Sequence, residues 1–122
     1  GMDETTFVEL FTADRPVVFA FHGYQRSIHE IVHGRVNAPR FHVRGFMEQG
    51  TTTTPFNMVV LNGMSRYHLC IEALRRTERA QQKAAGLIAE LEDLIRRSVA
   101  YAHQHFEDPP EIQNWTWTPP SP

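Results

Sequence analysis

The sequence has one cysteine, almost no net charge and no long apolar run. Its 12 Lys and Arg against 14 Asp and Glu give a formal net charge of −2. We therefore expect no nucleic-acid binding, which depends on an excess of cations facing phosphates. The absence of a signal peptide and of about 18 consecutive apolar residues predicts no membrane segment. Cys70 cannot form an internal disulfide, and its apolar helical surroundings predict a small hydrophobic side chain rather than a catalytic thiol. A reducing, cytoplasmic compartment fits this cysteine usage.

The chain of 122 residues is expected to form a single domain, 1–122. Gly1 before Met2 is typical of the remnant of a cleaved expression tag. Residues 107–122 follow the last helical pattern and are expected to lie on the surface as a tail. Trp115 and Trp117 in this tail are candidate interface residues, because an indole is a large apolar group with one polar end.

Two apolar segments predict a small parallel sheet. Residues 16–21 form a continuous apolar run, which is typical of strands covered on both faces, and predict a strand over about 16–22. Residues 41–46 predict a second strand. Between them, apolar residues at helical spacing from 25 to about 35 predict a crossover helix, so that a right-handed βαβ unit results. Two parallel strands alone do not make a stable sheet. The sequence therefore predicts a further neighbour, either a strand upstream or a second copy of the chain.

Helix start signals recur along the chain. Asp3, Thr54 and Ser65 each precede a helical pattern and are predicted N-caps, and Pro55 suits the first helical position. The most regular amphipathic pattern predicts a long helix over about 79–106.

The ends of the two predicted strands and the following loop carry the candidate binding residues. In open α/β sheets ligands bind at the carboxyl ends of the strands. Candidate contacts at this edge are His22 and Tyr24. Candidate anion-binding residues are Arg44, Thr51, Thr52, Thr53, Thr54 and Arg66, with Arg40 as a further cation that could converge there. The threonine run is also consistent with hydroxyl-stabilised turns that lead into an N-cap, and such caps are commoner than anion sites.

The residues themselves suggest neither a catalytic grouping nor a metal site. His29 and His33 stand four apart on the predicted crossover helix, but no HExxH pattern is present and two histidines do not complete a site. We expect these histidines to be surface or packing residues, and we assign no catalytic residue and no metal ligand.

Several blocks together resemble the C-terminal domain of the thiamine-diphosphate-dependent phosphoketolases, which act on xylulose 5-phosphate and fructose 6-phosphate. The blocks are RPVVFAFHGY at 15–24, HVRGF at 42–46, GTTTTPFNMVVLN at 50–62, SRYHL at 65–69 and EIQNWTW at 111–117. They follow one another in the family's order across nearly the whole chain.

The resemblance implies an α/β fold of three layers, similar to the C-terminal domain of transketolase, in truncated form. It implies a parent enzyme that converts a ketose phosphate and phosphate into acetyl phosphate, an aldose phosphate and water. Thiamine diphosphate and magnesium would be held by upstream domains. The partners of this chain would be those domains or a second copy of the chain, and a homo-oligomer is expected. The chain would be a structural and oligomerisation domain that is inactive alone. The alternative is a regulatory module that binds an anion or a nucleotide through the loop 50–55.

Overall fold

The computed structural model describes residues 1–48 and 50–119, in which helices cover both faces of a parallel sheet. The elements are α1 (Glu4–Phe11), β1 (Val17–Phe21), α2 (Gln25–Val32), a short 3-10 helix (Ala38–Arg40), β2 (Phe41–Gly45), α3 (Pro55–Leu61), α4 (Arg66–Arg76), α5 (Glu78–Gln81), α6 (Ala85–His105) and α7 (Pro110–Gln113). The α/β class, the two strands and their parallel pairing confirm the prediction. The last three residues of the tail expected at 107–122 lie outside the described residues.

One face of the sheet carries the apolar core. Val17 pairs with Phe41 and Phe19 with Val43, and alternate strand residues share a face. The buried cluster on this face consists of Phe7, Ile28, Val32, Phe41 and Val43, with Phe11, Val17, Phe19 and Ala38 packed against it. The rings of Phe7, Phe11 and Phe41 form a triangle with centroids 5.1 to 5.7 Å apart. Helices α1 and α2 therefore form the first layer.

A buried arginine joins α1 to the sheet. Arg40 is 6% exposed, and its guanidinium donates to the carbonyl oxygens of Phe11 at 2.8 Å, Thr12 at 2.6 Å and Arg15 at 3.0 Å. The last carbonyls of a helix have no partner within the helix and favour a nearby cation. Arg40 therefore stabilises the end of α1 and the turn into β1, and it does not face the threonine loop as the anion hypothesis supposed.

The second face of the sheet is more polar. Val18 pairs with His42 and Ala20 with Arg44, and α4 packs over them, with α3 and α6 beyond it. Burial of both strands on both faces was expected, yet only β2 approaches it, because Ala20 and Phe21 at the end of β1 are exposed. In the described part of the chain β1 has β2 as its sole strand partner. Among these residues no further strand pairs with the outer edge of β1.

The predicted N-caps are confirmed. Asp3 accepts a hydrogen bond from the backbone N–H of Thr6 at 2.9 Å, and Thr54 accepts one from that of Asn57 at 3.0 Å. Ser65 caps α4 in the same way through the backbone N–H of His68.

Two helical details differ from the sequence interpretation. The long helix begins at Ala85 rather than near residue 79, after the separate helix α5 and a turn. The buried residues of α4 are Ile71 and Glu72. Cys70, which was expected to be a small hydrophobic side chain in apolar surroundings, is exposed.

Candidate functional site

A groove lies at the carboxyl edge of the sheet, where β1 and β2 both end. Its volume is about 510 Å³. It is lined by Tyr24, Gln25, Arg26, Ser27, Glu30, Gly45, Phe46, Met47, Leu61 and Asn62. Tyr24 is 64% exposed at its rim, and the ring of His22 stacks on Phe46 with centroids 4.3 Å apart. The structure thus places both predicted edge residues at the carboxyl ends of the strands, with Tyr24 lining the groove.

Gly45 explains how the groove is built. A Cβ at this position would lie 2.6 Å from the backbone nitrogen of Gln25 and 2.7 Å from the carbonyl oxygen of Gly23. The end of β2 therefore passes directly against the start of α2, and the backbone N–H of Phe46 donates to the Gly23 carbonyl at 2.8 Å. Any larger residue would push the two segments apart.

Behind the sheet, three charged side chains form an ion cluster around a buried carboxylate. Glu72 is 6% exposed; one of its carboxylate oxygens accepts a hydrogen bond from Arg44 on β2, and the other is ion-paired with Arg76 on α4. Gly63 has a φ of +66°, and a Cβ there would lie 3.2 Å from an Arg44 guanidinium nitrogen. Because Arg44 is directed to Glu72, its charge is neutralised within the domain.

The cluster shifts the pKa of its carboxylate and of two neighbouring histidines. Burial alone would raise the pKa of Glu72, but the hydrogen bond and charge of Arg44 and the charge of Arg76 outweigh it, so the pKa lies below its ordinary value. Burial lowers the pKa of His42, and Arg76 and Arg44 lower it further against the opposing charge of Glu72. Burial and Arg44 likewise lower the pKa of His68, again opposed by Glu72.

These shifts predict that acidification destabilises the domain. Each folded-state pKa lies below its unfolded-state value, so the unfolded chain takes up protons first and stability falls as the pH drops. The histidine contribution is lost below their ordinary value of 6.5, and that of Glu72 below 4.5. We expect the thermal midpoint, followed by circular dichroism, to fall between about pH 7 and about pH 4. His68→Gln should flatten the upper part of this profile, whereas His29→Gln, at an exposed position, should leave it unchanged. A midpoint that rises on acidification would contradict the assignment.

The threonine loop lies against α3 and α6 rather than against an arginine. The Thr54 hydroxyl donates to Asp108 at 2.5 Å, and the Thr53 hydroxyl oxygen accepts from the side-chain amide of Asn57 at 2.8 Å. Thr51 and Thr52 are exposed. A carboxylate beside Thr54 is unfavourable for an anion at the start of α3.

Arg66, the other predicted anion ligand, is surrounded by aromatic rings. Its guanidinium carbon lies 5.1 Å from the ring centroid of Phe56, 4.9 Å from that of Tyr67 and 4.5 Å from that of Trp115. Trp115 is 50% exposed and Trp117 72% exposed, and their rings meet edge to face with centroids 6.4 Å apart. A cation over an aromatic face is attracted by the ring quadrupole. Arg66 therefore attaches the tail to α3 and α4.

The predicted anion-binding residues thus have three separate sets of partners. Arg44 pairs with Glu72, Arg66 contacts the aromatic rings, and Thr53 and Thr54 bond within their own neighbourhood. The ion cluster itself was missed from the sequence. Its signal was the spacing of His68, Glu72 and Arg76, which stand four apart and so share one face of a helix.

The described residues do not fit a metal-dependent cofactor. Within residues 1–48 and 50–119, no group of three or more His, Cys, Asp and Glu side chains converges in a way that could hold a metal ion. His29 and His33 are exposed and line a shallow groove with Arg26 and Glu30. We therefore derive no chemical step through magnesium or thiamine diphosphate on this chain. In the same residues, no helix combines the length and the apolar character that crossing a bilayer requires.

Comparison with known proteins gives a consistent result. A family model described as the XFP C-terminal domain matches residues 1–117. A probable phosphoketolase of Bradyrhizobium diazoefficiens is 48% identical over 117 residues, which cover 96% of this chain and 15% of that protein. Probable phosphoketolases of Mycobacterium avium and Pseudomonas putida are 48% and 44% identical over 119 and 118 residues, covering 98% and 97% of this chain and 15% of each relative.

The chain thus spans about 15% of the length of these relatives. The match confirms the resemblance suggested by the HGY, HVRG and GTTTTPF blocks. This chain belongs to the XFP C-terminal domain family, the C-terminal domains of phosphoketolases.

Proposed function

We propose that the chain completes the fold and the subunit contacts of a phosphoketolase and does not catalyse a reaction alone. The parent reaction would be the phosphate-dependent cleavage of a ketose phosphate to acetyl phosphate, an aldose phosphate and water. Thiamine diphosphate, which the family implies, would be held by the other domains of that enzyme.

The observation that carries this proposal is the outer edge of β1, with which no strand of the described residues pairs. The sheet has two strands in the described residues, and a two-stranded unit is marginal without further neighbours. Ala20 and Phe21 are exposed at the end of β1, and an unpaired row of backbone groups favours the addition of a further strand. A neighbouring domain or subunit that covers this edge would complete the fold.

The internal pairing of the charges supports a structural role. Arg44 and Arg76 both pair with Glu72, so each of these two cations already has a partner within the domain. The alternative of a regulatory module that binds an anion or a nucleotide through the loop 50–55 is not favoured, because Thr54 is bonded to a carboxylate and Arg44 to Glu72.

The proposal is tested with three proteins: the chain alone, the Bradyrhizobium diazoefficiens relative that lacks its matching segment, and a chimera in which this chain replaces that segment. Each is assayed for acetyl phosphate formation from xylulose 5-phosphate and phosphate, with thiamine diphosphate and magnesium added. We expect activity from the chimera and none from the chain alone. The shortened relative should lose activity and its native sedimentation coefficient. Acetyl phosphate formed by the isolated chain, or a shortened relative with unchanged activity and assembly, would contradict the proposal.

A further inference from the structure

The end of α6 presents an aromatic side chain to solvent in an unfavourable backbone conformation. Phe106 is 87% exposed, with a φ of 60° and a ψ of 23°, and its backbone N–H donates to the Ala102 carbonyl at 2.9 Å. This left-handed position at a helix end is usually taken by glycine or asparagine, and a bulky residue is an outlier there. The isolated domain gains little from Phe106 to offset this strain.

Phe106 lines a groove of about 380 Å³ between the threonine loop, α3 and α6. The walls are Thr51, Thr52, Thr53, Thr54, Asn57, Leu61, Val99, Ala102, His103 and Phe106. Leu61 of α3 and Val99 and Ala102 of α6 thus line the groove together with the hydroxyl groups of the threonine loop. A surface that joins a protruding aromatic ring to a neighbouring apolar recess is typical of a protein interface.

We propose that this groove, from the threonine loop to Phe106, docks a segment of the phosphoketolase polypeptide outside these residues. That segment supplies an apolar recess for the Phe106 ring. The inference rests on the proposed function, because the matched relatives are more than six times as long as this chain and so provide such a segment. A small molecule within the groove would cover only part of the Phe106 ring, which is 87% exposed, and this favours a protein surface.

The test measures how fast a thiol at residue 106 reacts with a maleimide. Phe106→Cys is made in a Cys70→Ser background, because Cys70 is itself exposed. Ala100→Cys is the matched control, at an exposed position on α6 that does not line the groove. Each variant is labelled in the isolated chain and in the chimera described above. We expect the chimera to slow labelling at residue 106 by at least about tenfold and to leave residue 100 much less affected.

Three outcomes would overturn the proposal. Equal labelling at residue 106 in the chain and the chimera would show that nothing covers the groove. Equal protection at residues 100 and 106 would show that the covering segment does not bind specifically in the groove. Labelling of the isolated chain that slows as its concentration rises would identify a second copy as the occupant. Acetyl phosphate formation by the unsubstituted chimera reports separately on the proposed function.

A second variant at residue 106 should shift the thermal midpoint in opposite directions in the isolated chain and in the chimera. Phe106→Asn relieves the left-handed strain and should raise the thermal midpoint of the isolated chain by about 2–4 °C. In the chimera the same change removes the docked ring and should lower the midpoint. If the substituted chimera does not fold, amide hydrogen exchange is measured on the unsubstituted chimera instead. The proposal then requires that residues 51–57 exchange more slowly in the chimera than in the isolated chain. A rise of the midpoint in both proteins, or equal exchange, would overturn the proposal.

Discussion

Replacing Arg40 with methionine is expected to lower the free energy of unfolding by about 3 kcal/mol, since it removes three charge-assisted hydrogen bonds from a buried site. The three carbonyl acceptors belong to Phe11, Thr12 and Arg15, and Thr12 has a strained φ of 60°. Without the guanidinium, the last carbonyls of α1 lose their partners, and the turn that delivers the chain to β1 loses its support. Part of the loss is offset because the variant no longer buries a charge.

The measurement is urea unfolding of the isolated chain, followed by far-ultraviolet circular dichroism. Arg40→Lys keeps the charge but not the planar fork, so it should recover less than half of the lost stability. Arg26→Met is the matched control, because that side chain is 87% exposed and, among the residues that the structure describes, its ion pair is with Glu30 on the same helix. Its midpoint should be nearly unchanged. Equal midpoints for Arg40→Met and Arg26→Met would show that the carbonyl contacts contribute nothing.

Glu72→Gln is expected to destabilise the domain by about 2–3 kcal/mol, because it leaves two arginines side by side without a counter-charge. The value lies below that for a fully buried pair, since the Arg44 and Arg76 side chains remain 34% and 27% exposed. Solvent therefore screens part of the repulsion. The variant should also lose the acid dependence that Glu72 contributes below pH 4.5.

A double-mutant cycle separates the ion pair from simple loss of packing. Glu72→Met and Arg44→Met are measured singly and together, and the double variant should be more stable than the sum of the single effects predicts by at least about 1 kcal/mol. Glu92→Gln is the control on the surface, where the pair with Arg75 is half exposed and should count for little. Strict additivity at residues 44 and 72 would refute the buried pair.

The strands and the caps could be predicted from the sequence because their signals are local. The apolar run that begins at Pro16 and the short strand pattern that begins at Phe41 need no knowledge of distant residues, and each N-cap acts within three residues. The contacts that decide the second face of the sheet are not local. Arg44 meets Glu72, 28 positions later, and Arg40 meets the Phe11 carbonyl, 29 positions earlier. Sequence spacing cannot identify such partners.

The candidate anion site shows the same limit. The sequence suggested Arg44, Arg66 and the threonines as anion ligands, but a cation has several possible partners. The fold gives Arg44 a carboxylate and Arg66 the rings of Phe56, Tyr67 and Trp115. The burial of individual helix residues was equally hard to predict from their polarity. Glu72 is charged and yet buried, whereas Leu87 is apolar and yet 45% exposed.

The stacking of Trp115 on Arg66 has a spectroscopic consequence. The chain has two tryptophans, and both follow α7 in the tail, away from the phenylalanine core beneath α1 and α2. Indole emission therefore reports whether the end of the chain is attached to α3 and α4, and it is silent about the melting of the sheet. Fluorescence and circular dichroism consequently follow two different events in this molecule, and a mismatch between their midpoints would measure detachment of the tail rather than an intermediate of the core.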